Sequence, residues 1–150
     1  MSDHLFFGPA NSPNFQFSPH FEHVFIDEEL EWKTTEHYLR AHMFVGDKYA
    51  ALTEKIRTAH RTKKCKLLVD ANRGHVRADW DEVKDDIMKR ALRLKFADKE
   101  LANKLMNTGQ RPLVYDDCYD PYWAAGRGGN GKNRLGKLLE EIREELKANR

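Results

Sequence analysis

After residue 34 the hydrophobic positions of the chain recur mostly at helical spacing. The clearest pattern covers residues 79–96, where apolar side chains return every three or four positions. The apolar set in this segment is Trp80, Val83, Ile87, Ala91 and Leu94. This spacing predicts an amphipathic helix with Asp79 as its cap, because a short carboxylate side chain can accept from the first free amides. We expect it to be the main core helix.

Further segments carry the same helical spacing. The chain turns helical at Thr35, and residues 47–59 and 98–108 each place apolar side chains on one face. Gly109 suits the end of the last of these helices. Residues 63–70 predict a shorter turn or helix. A closing amphipathic helix is predicted from Leu135, Leu138, Leu139, Ile142 and Leu146.

Residues 1–34 lack helical periodicity and are rich in Phe, Pro, Asn and Ser. Residues 5–7 and 24–26 have the composition of short strands, and a turn at residues 28–29 leads to a partner strand over residues 30–33. This pattern predicts a small N-terminal antiparallel sheet. Residues 113–115 are a further candidate strand. The fold class we predict is therefore α+β, predominantly helical, as a single domain over residues 1–150.

The loop between the first two strands, residues 11–19, is too aromatic for a disordered linker. We expect Phe15 and Phe17 to pack it and to hold Asn14 in a fixed orientation.

Composition limits the function classes. The chain has 150 residues with 40% hydrophobic and 33% charged, and no apolar run approaches membrane length. The N-terminus lacks the charged-then-apolar pattern of a signal peptide, so we expect a soluble, cytoplasmic or otherwise intracellular protein without membrane partners. Cys65 and Cys118 are far apart and are expected to be reduced thiols. His37 and His42 are five positions apart, which does not stack two metal ligands on one helix face, so we predict no metal and no cofactor.

The net charge is only +2, but the charges are unevenly distributed. Residues 55–66 are basic, and residues 127–134 are basic among glycines, whereas residues 27–31 and 79–86 are acidic. A basic stripe fits a phosphate-bearing ligand, and it equally fits an ordinary solvated helix face. Composition alone does not choose between these interpretations.

The predicted start of the first helix carries a candidate catalytic group. Thr34 or Thr35 can cap this helix, and Glu36 follows where a carboxylate is favoured by the helix dipole. The apolar face of the helix would fix its first turn against a core and leave Glu36 in position for chemistry. The alternative is structural: Glu36 caps the helix and pairs with Arg40, four residues on.

The glycine-rich segment at residues 126–133 nearly matches the phosphate-binding loop of nucleoside triphosphatases. Those loops need a Ser or Thr hydroxyl at the position that Asn133 occupies, and they follow a buried strand, so this function is excluded. The remaining interpretations are an anion site, supported by Arg127 and Lys132, and a flexible tight turn. Trp80 is expected to pack in the core, whereas Trp123, among loop-forming residues, is a candidate platform for a ring-shaped ligand.

Several separate segments together resemble one family, the YbiA-like or NADAR (NAD- and ADP-ribose-associated) domains, over nearly the full chain. The matching segments are Phe6-Phe7, Ser12-Pro13, Asn14-Phe15, Ser18-Pro19, Glu36-His37-Tyr38, Arg77-Ala78-Asp79-Trp80, residues 88–96, Thr108-Gly109, Leu113-Val114, Asp120, Tyr122-Trp123 and residues 131–136. The resemblance implies an N-glycosidase that hydrolyses the bond between ribose C1 and nitrogen. Known substrates are ADP-ribose on guanine bases and phosphoribosylamino-pyrimidine intermediates of riboflavin synthesis.

The resemblance also implies site residues: Glu36, Trp80, Asp120 and Trp123 match positions associated with the active site. We assign Glu36, Asp120 and Lys132 to catalysis. Substrate binding is assigned to Asn14, Phe15, His37, Trp80, Trp123, Arg127, Gly131 and Asn133. Glu36 suits an anion near the sugar or the activation of water, and Asp120 could orient the ribose or assist proton transfer. A variant mechanism makes an unprotonated Lys132 the nucleophile, through a Schiff base.

Two departures from the family pattern stand out: Met43 occupies a position where many relatives have Lys, and Leu68-Val69-Asp70 replaces a usual Leu-Gly-Arg. They favour ADP-ribosylated guanine in nucleic acid as the substrate, with residues 55–66 as a basic rim. The alternatives are a small ribosylamino-pyrimidine phosphate and a non-catalytic reader of ADP-ribose or a nucleotide. Each enzymatic version expects Glu36, Trp80 and residues 120–132 to converge on one pocket.

Overall fold

The computed structural model describes residues 3–150; the first two residues of the predicted domain lie outside this range. Its helices are α1 (Thr35–Ala41), α2 (Ala50–Arg57), α3 (Thr62–Asp70), α4 (Trp80–Lys95), α5 (Lys99–Met106) and α6 (Arg134–Ala148). Its strands are β1 (Leu5–Phe7), β2 (Phe25–Asp27), β3 (Leu30–Trp32) and β4 (Leu113–Tyr115). The predicted fold class, α+β and predominantly helical, is confirmed. No helix in the described part of the chain has the length and hydrophobicity to cross a bilayer.

The described residues form two compact units, residues 3–21 with 96–150, and residues 22–95. In the first unit, β1 pairs with β4 in parallel, with Leu5 opposite Leu113. Helix α6 packs on β4 and on α5. The ring of Phe7 stacks on Tyr115 at 5.3 Å and meets the edge of Phe17 at 6.3 Å. The single domain over residues 1–150 stays a prediction.

The pairing of β1 corrects one expectation. Residues 5–7 form a strand as predicted, but the strand does not join the N-terminal antiparallel sheet. Hairpin signals are local, whereas the partner of β1 lies near the other end of the chain. A parallel pair needs a long crossover connection, and no turn residue marks it in the sequence.

In the second unit, β2 and β3 form the predicted antiparallel hairpin, with Phe25 opposite Trp32. Glu28 and Glu29 turn the chain with positive φ angles of 51° and 68°. Helix α1 packs against α2, α3 and α4, and Tyr38, Met43 and Val69 are buried in the resulting core. The two departures from the family pattern, at Met43 and Val69, are therefore core positions.

The predicted helices are confirmed, with one change at the start of α4. The carboxylate of Asp79, predicted as the cap, instead accepts from Arg77 Nε at 2.6 Å and from Arg77 Nη2 at 3.0 Å. Arg77 in turn donates its amide to the carbonyl of Met43 at 2.8 Å. The turn before α4 is thus fixed to the end of the segment that carries α1.

Candidate active site

The first turn of α1 positions Glu36. Thr34 is the cap, in extended conformation, and its hydroxyl accepts from the His37 amide at 3.0 Å. The Glu36 side chain is 13% exposed, and its Oε2 lies 3.5 Å from Nη2 of Arg40. The ion pair of the structural alternative is thus present. Pairs of this kind contribute little to stability, so the pairing does not exclude a chemical role for the carboxylate.

Two polar atoms next to Glu36 are buried without a hydrogen-bond partner among the described residues. They are the hydroxyl of Thr35 and Nε of Arg40. Buried polar groups are almost always paired, so each such atom calls for an explanation. Both atoms are closed off from solvent, as are Nε1 of Trp32 and Nε of Arg143 elsewhere in the described residues, so they reflect tight packing and do not mark a ligand contact.

His37 is completely buried beneath this turn. Its Nε2 lies 2.9 Å from the carbonyl of Ala59, which only accepts, so Nε2 carries the proton. Its Nδ1 then accepts from the Thr34 hydroxyl at 2.7 Å. Burial lowers the pKa of His37, which keeps the ring neutral in this arrangement. Both nitrogens are used within the protein, so the geometry gives the predicted substrate-binding residue a structural role.

Helix α3 lies close to the Glu36 charge. Burial, with a smaller contribution from Glu36, raises the pKa of Cys65 to about 11. Cys65 is therefore an unreactive thiol of the core, and its Sγ donates to the carbonyl of Ile56 at 3.5 Å. Cys118, by contrast, is exposed, and neither thiol forms a disulfide.

Trp80 begins α4 and belongs to the same unit as Glu36. Its ring is half-buried against the core that includes Tyr38 and Met43. Trp80 was expected to pack in the core, and part of its ring does so. The rest of the ring is open to solvent.

The second group of candidate residues lies in the glycine loop, which we define as residues 116–133. Asp120 Oδ1 accepts from the amides of Tyr122 at 2.9 Å and Trp123 at 2.8 Å, so this carboxylate shapes the start of the loop. The two arms of the loop are joined by backbone bonds, from Lys132 to Pro121 at 2.8 Å and from Asn133 to Ala124 at 3.0 Å. The fold therefore brings Asp120, Trp123 and Lys132 together.

Gly131 makes the close approach of the two arms possible. A Cβ added there would lie 2.5 Å from the carbonyl oxygen of Ala124 and 2.7 Å from that of Ala125. Real side chains do not reach such distances, so only glycine fits at this point of the loop. Gly131, which we predict to contact substrate, is therefore also required by the packing of the loop.

Asn133 anchors the glycine loop to β4. It adopts a left-handed conformation with φ 50°, its Oδ1 accepts from the amide of Tyr115, and its Nδ2 donates to the carbonyl of Leu113, both at 2.9 Å. Asparagine tolerates this backbone conformation better than most residues. These bonds explain why an amide stands where a nucleotide-binding loop has a hydroxyl.

Aromatic and cationic side chains line the same loop. The rings of Trp123 and Tyr122 are perpendicular with centroids 4.9 Å apart, and Lys132 Nζ lies 5.6 Å from the Tyr122 ring. Trp123 is half-buried, while Lys132 and Arg127 are exposed. The loop therefore carries aromatic rings and positive charge, the two kinds of group that the binding prediction needs. Tyr122 joins the candidate residues, and its place beside Trp123 was the available signal in the sequence.

Lys95 is a buried amine that the sequence pattern did not single out. It ends α4 with a side chain that is 2% exposed, and burial lowers its pKa to about 7. A Schiff-base route needs an amine of lowered pKa, but a side chain this buried is closed to a substrate, whereas Lys132 is exposed. Lys95 follows Met88 and Leu92 at helical spacing, so the periodicity of α4 could have indicated its burial.

The N-terminal candidates lie in the first unit. Asn14 donates from Nδ2 to the carbonyl of Phe6 at 3.1 Å, and Phe15 meets the edge of Phe21 at 5.6 Å. Asn14 also lines a cavity of about 330 Å³ with Thr108 and Arg111. The fixed orientation expected for Asn14 is thus present in the structure.

The fold places the candidate residues in two sets. Glu36, His37 and Trp80 lie in residues 22–95, and the other predicted site residues lie in the first unit. Within residues 3–150 no group of three or more His, Cys, Asp or Glu side chains could hold a metal ion. The catalytic and binding roles, and the convergence of the three regions, stay predictions.

A carboxylate fixed at a helix start, together with a loop of aromatic and cationic side chains, is an arrangement that a hydrolase can use. Comparison with known proteins gives the family. The family model of the NADAR domain matches residues 4–147. An N-glycosidase of Nostoc punctiforme is 36% identical over 132 residues, which cover 87% of this chain and 83% of that protein. The N-glycosidase YbiA of Escherichia coli is 39% identical over 116 residues, 77% of this chain and 71% of that protein.

The chain therefore belongs to the NADAR domain family, and it is an enzyme, a hydrolase of N-glycosyl bonds. The NMR structure of the E. coli protein YbiA matches with a TM-score of 0.83 and 33% identity, over 99% of this chain and 88% of that one. The riboflavin biosynthesis protein PYRR of Zea mays is 36% identical over 87% of this chain, which spans 22% of that longer protein.

Proposed function

We propose that this N-glycosidase removes ADP-ribose from guanine bases of nucleic acid. The observation that carries the proposal is the first turn of α1, where the Glu36 side chain stays 13% exposed on a helix start that is held by Thr34 and the buried His37. A carboxylate fixed in this way is suited to a polar sugar or an attacking water.

The chemistry needs an anion near the sugar. As the C1–N bond breaks, its electron pair goes to the base nitrogen and C1 becomes positively charged; water then adds to C1 and its proton is lost. Glu36 is proposed to stabilise the charge at C1 or to accept the proton from water. Arg40, whose Nη2 lies 3.5 Å from Oε2 of Glu36, is proposed to hold this carboxylate in place.

The glycine loop is proposed to bind the base and the phosphates. Stacking on an aromatic ring contributes roughly 1–3 kcal/mol per base, and Trp123 offers a half-buried ring for this purpose. Lys132, whose Nζ lies 5.6 Å from the neighbouring Tyr122 ring, and Arg127 in the same loop are exposed cations that suit the pyrophosphate of ADP-ribose. Asp120, whose Oδ1 is engaged by two amides, is proposed to orient the ribose.

A second substrate is favoured by one relative. PYRR of Zea mays is named a riboflavin biosynthesis protein, so a phosphoribosylamino-pyrimidine is the alternative substrate. Met43, where many relatives have Lys, is buried in the core. Our preference for the guanine substrate rests on this departure from the family sequence pattern, not on a contact of Met43.

The test is to incubate the protein separately with an ADP-ribosylated guanine oligonucleotide and with the ribosylamino-pyrimidine phosphate, and to measure released products by mass spectrometry. We expect free ADP-ribose from the oligonucleotide. Release only from the pyrimidine would replace the proposal by the alternative. Binding of ADP-ribose without release from either substrate would identify a non-catalytic reader.

The reaction route has its own test. Borohydride traps a covalent adduct only if an amine forms a Schiff base with the opened sugar, and water activation by Glu36 gives none. We expect no adduct. An adduct would favour the amine route, and peptide mapping would then separate exposed Lys132 from buried Lys95.

A further inference from the structure

A groove lined by positively charged side chains lies between the end of α2 and the first turns of α3. Its volume is about 760 Å³, and Lys55, Arg61, Lys63 and Lys64 line it together with Leu67. We call it the basic groove. Nothing in the proposed chemistry of Glu36 or of the glycine loop uses these residues.

The cations of the basic groove are not neutralised within the protein. Residues 55–66 contain six Lys or Arg and no acidic residue. Arg57 and Lys66 pair with Glu54 and Asp70, but Lys55, Arg61, Lys63 and Lys64 form no ion pair with any other described residue. All four are exposed, so the groove concentrates positive potential that a run of phosphates would complement.

The basic groove also has an apolar wall. Leu67 is 55% exposed, and Leu68 next to it is half-buried. One exposed leucine is ordinary on a protein surface. Because Leu67 lies among cations, the groove offers a nucleic-acid strand two kinds of contact. The charges can bind phosphates, and the apolar side chain can contact sugars and bases.

The groove is connected to the turn that carries Glu36. The carbonyl of Ala59, in the groove wall, accepts from His37 Nε2 at 2.9 Å and from Lys33 Nζ at 3.1 Å. His37 directly follows Glu36 on α1. The groove and the first turn of α1 are thus held as neighbours by these two hydrogen bonds.

We propose that the basic groove binds the sugar–phosphate backbone of the nucleic-acid strand that carries the modified guanine. This inference rests on the proposed function and adds a surface that recognises the strand itself, not its modification. It predicts that the protein binds unmodified strands, and that this binding depends on salt.

The experiment measures fluorescence anisotropy of an unmodified single-stranded DNA oligonucleotide with the wild type, K63Q/K64Q and a matched control. The control, K48Q/K99Q, also removes two exposed lysines, from outside the groove. Each lost phosphate contact lowers the slope of log affinity against log salt by about 0.7, so two contacts correspond to roughly a 25-fold loss at 0.1 M salt. We expect this loss in K63Q/K64Q and less than a threefold change in the control.

The outcomes separate the groove from the reaction. Equal DNA affinities of K63Q/K64Q and the control would overturn the inference. It would also be overturned if K63Q/K64Q kept its DNA binding but lost binding to phosphatidylserine vesicles. Selective loss of DNA binding supports it, and cleavage of ADP-ribosyl-guanosine, which has no strand, should then be unchanged. If wild type binds DNA through the groove but releases no ADP-ribose from a modified strand, the proposed function fails and the groove stands.

Discussion

The first turn of α1 and the glycine loop hold their candidate groups in different ways. The turn is held by the buried side chain of His37, which hydrogen-bonds to Thr34 and to Ala59. The loop is held by backbone amides that hydrogen-bond across its two arms, and by the side chain of Asn133. A helix start on a core gives one rigid carboxylate, whereas a cross-linked loop presents several groups over a wider surface. We propose that the first serves bond cleavage and that the second serves recognition.

The sharpest test of this division is Glu36→Gln. General acid–base catalysis by one group contributes about 100-fold or more, so we expect turnover to fall by at least that factor while KM changes little. Steady-state kinetics on the N-glycosidic substrate measures both values. Glu31→Gln, at an exposed residue, is the control and should keep full activity. Full activity of Glu36→Gln would remove Glu36 from the chemistry.

Trp123→Ala tests the recognition side. Loss of a stacking ring costs about 2 kcal/mol, so we expect affinity for ADP-ribosyl-guanosine to fall by roughly 30-fold. Calorimetry with the Glu36→Gln protein measures this without turnover. Tyr119→Ala removes an aromatic ring from the same loop that is 85% exposed, and it should bind normally. Unchanged affinity of Trp123→Ala would make Trp123 a structural residue only.

Gly131→Ala tests whether recognition depends on the closed loop. A methyl group would clash with the backbone of Ala124 and Ala125, and overpacking of this kind costs about 1–3 kcal/mol. We expect weaker binding with a small drop in melting temperature. Gly74→Ala is the control, because a Cβ at Gly74 meets nothing within 4 Å. Equal binding by both variants would show that the loop need not be closed.

The smallest expected effect is a pH dependence of the α1 turn. Burial lowers the pKa of His37 and of His42, so the unfolded chain binds more protons than the folded one once the pH falls below about 6.5. Stability should therefore decrease from pH 7 to pH 5 and stay level, for these groups, above pH 7. Melting curves of wild type and His37→Gln measure it. The same slope in both proteins would exclude His37 as a source.

Much of the fold follows from local patterns. The helices were predictable because apolar residues recur at helical spacing, and the β2–β3 hairpin because its turn is short. The parallel pairing of β1 with β4 was not, because no local signal links residues so distant in sequence. Within the candidate site, Glu36 and Trp123 were recognisable by position and composition.

The structural duties of His37 and Asn133 were not predictable, because each depends on backbone groups from elsewhere in the chain. Sequence shows that a side chain can donate and accept, but only the fold shows which partners already use it. The burial of Lys95, by contrast, could have been predicted from the helical periodicity of α4 alone.

The Asn133 side chain has a consequence for solubility. Strand β4 bonds to β1 along one edge, and along the other edge the side chains of Asn133 and Glu140 and the amide of Ala125 bond to the backbone groups of Leu113 and Tyr115. An open strand edge invites pairing with another molecule. These groups thus stand in for a missing third strand, and a chain that lost the two bonds of Asn133 would tend to form intermolecular β-sheet at high concentration.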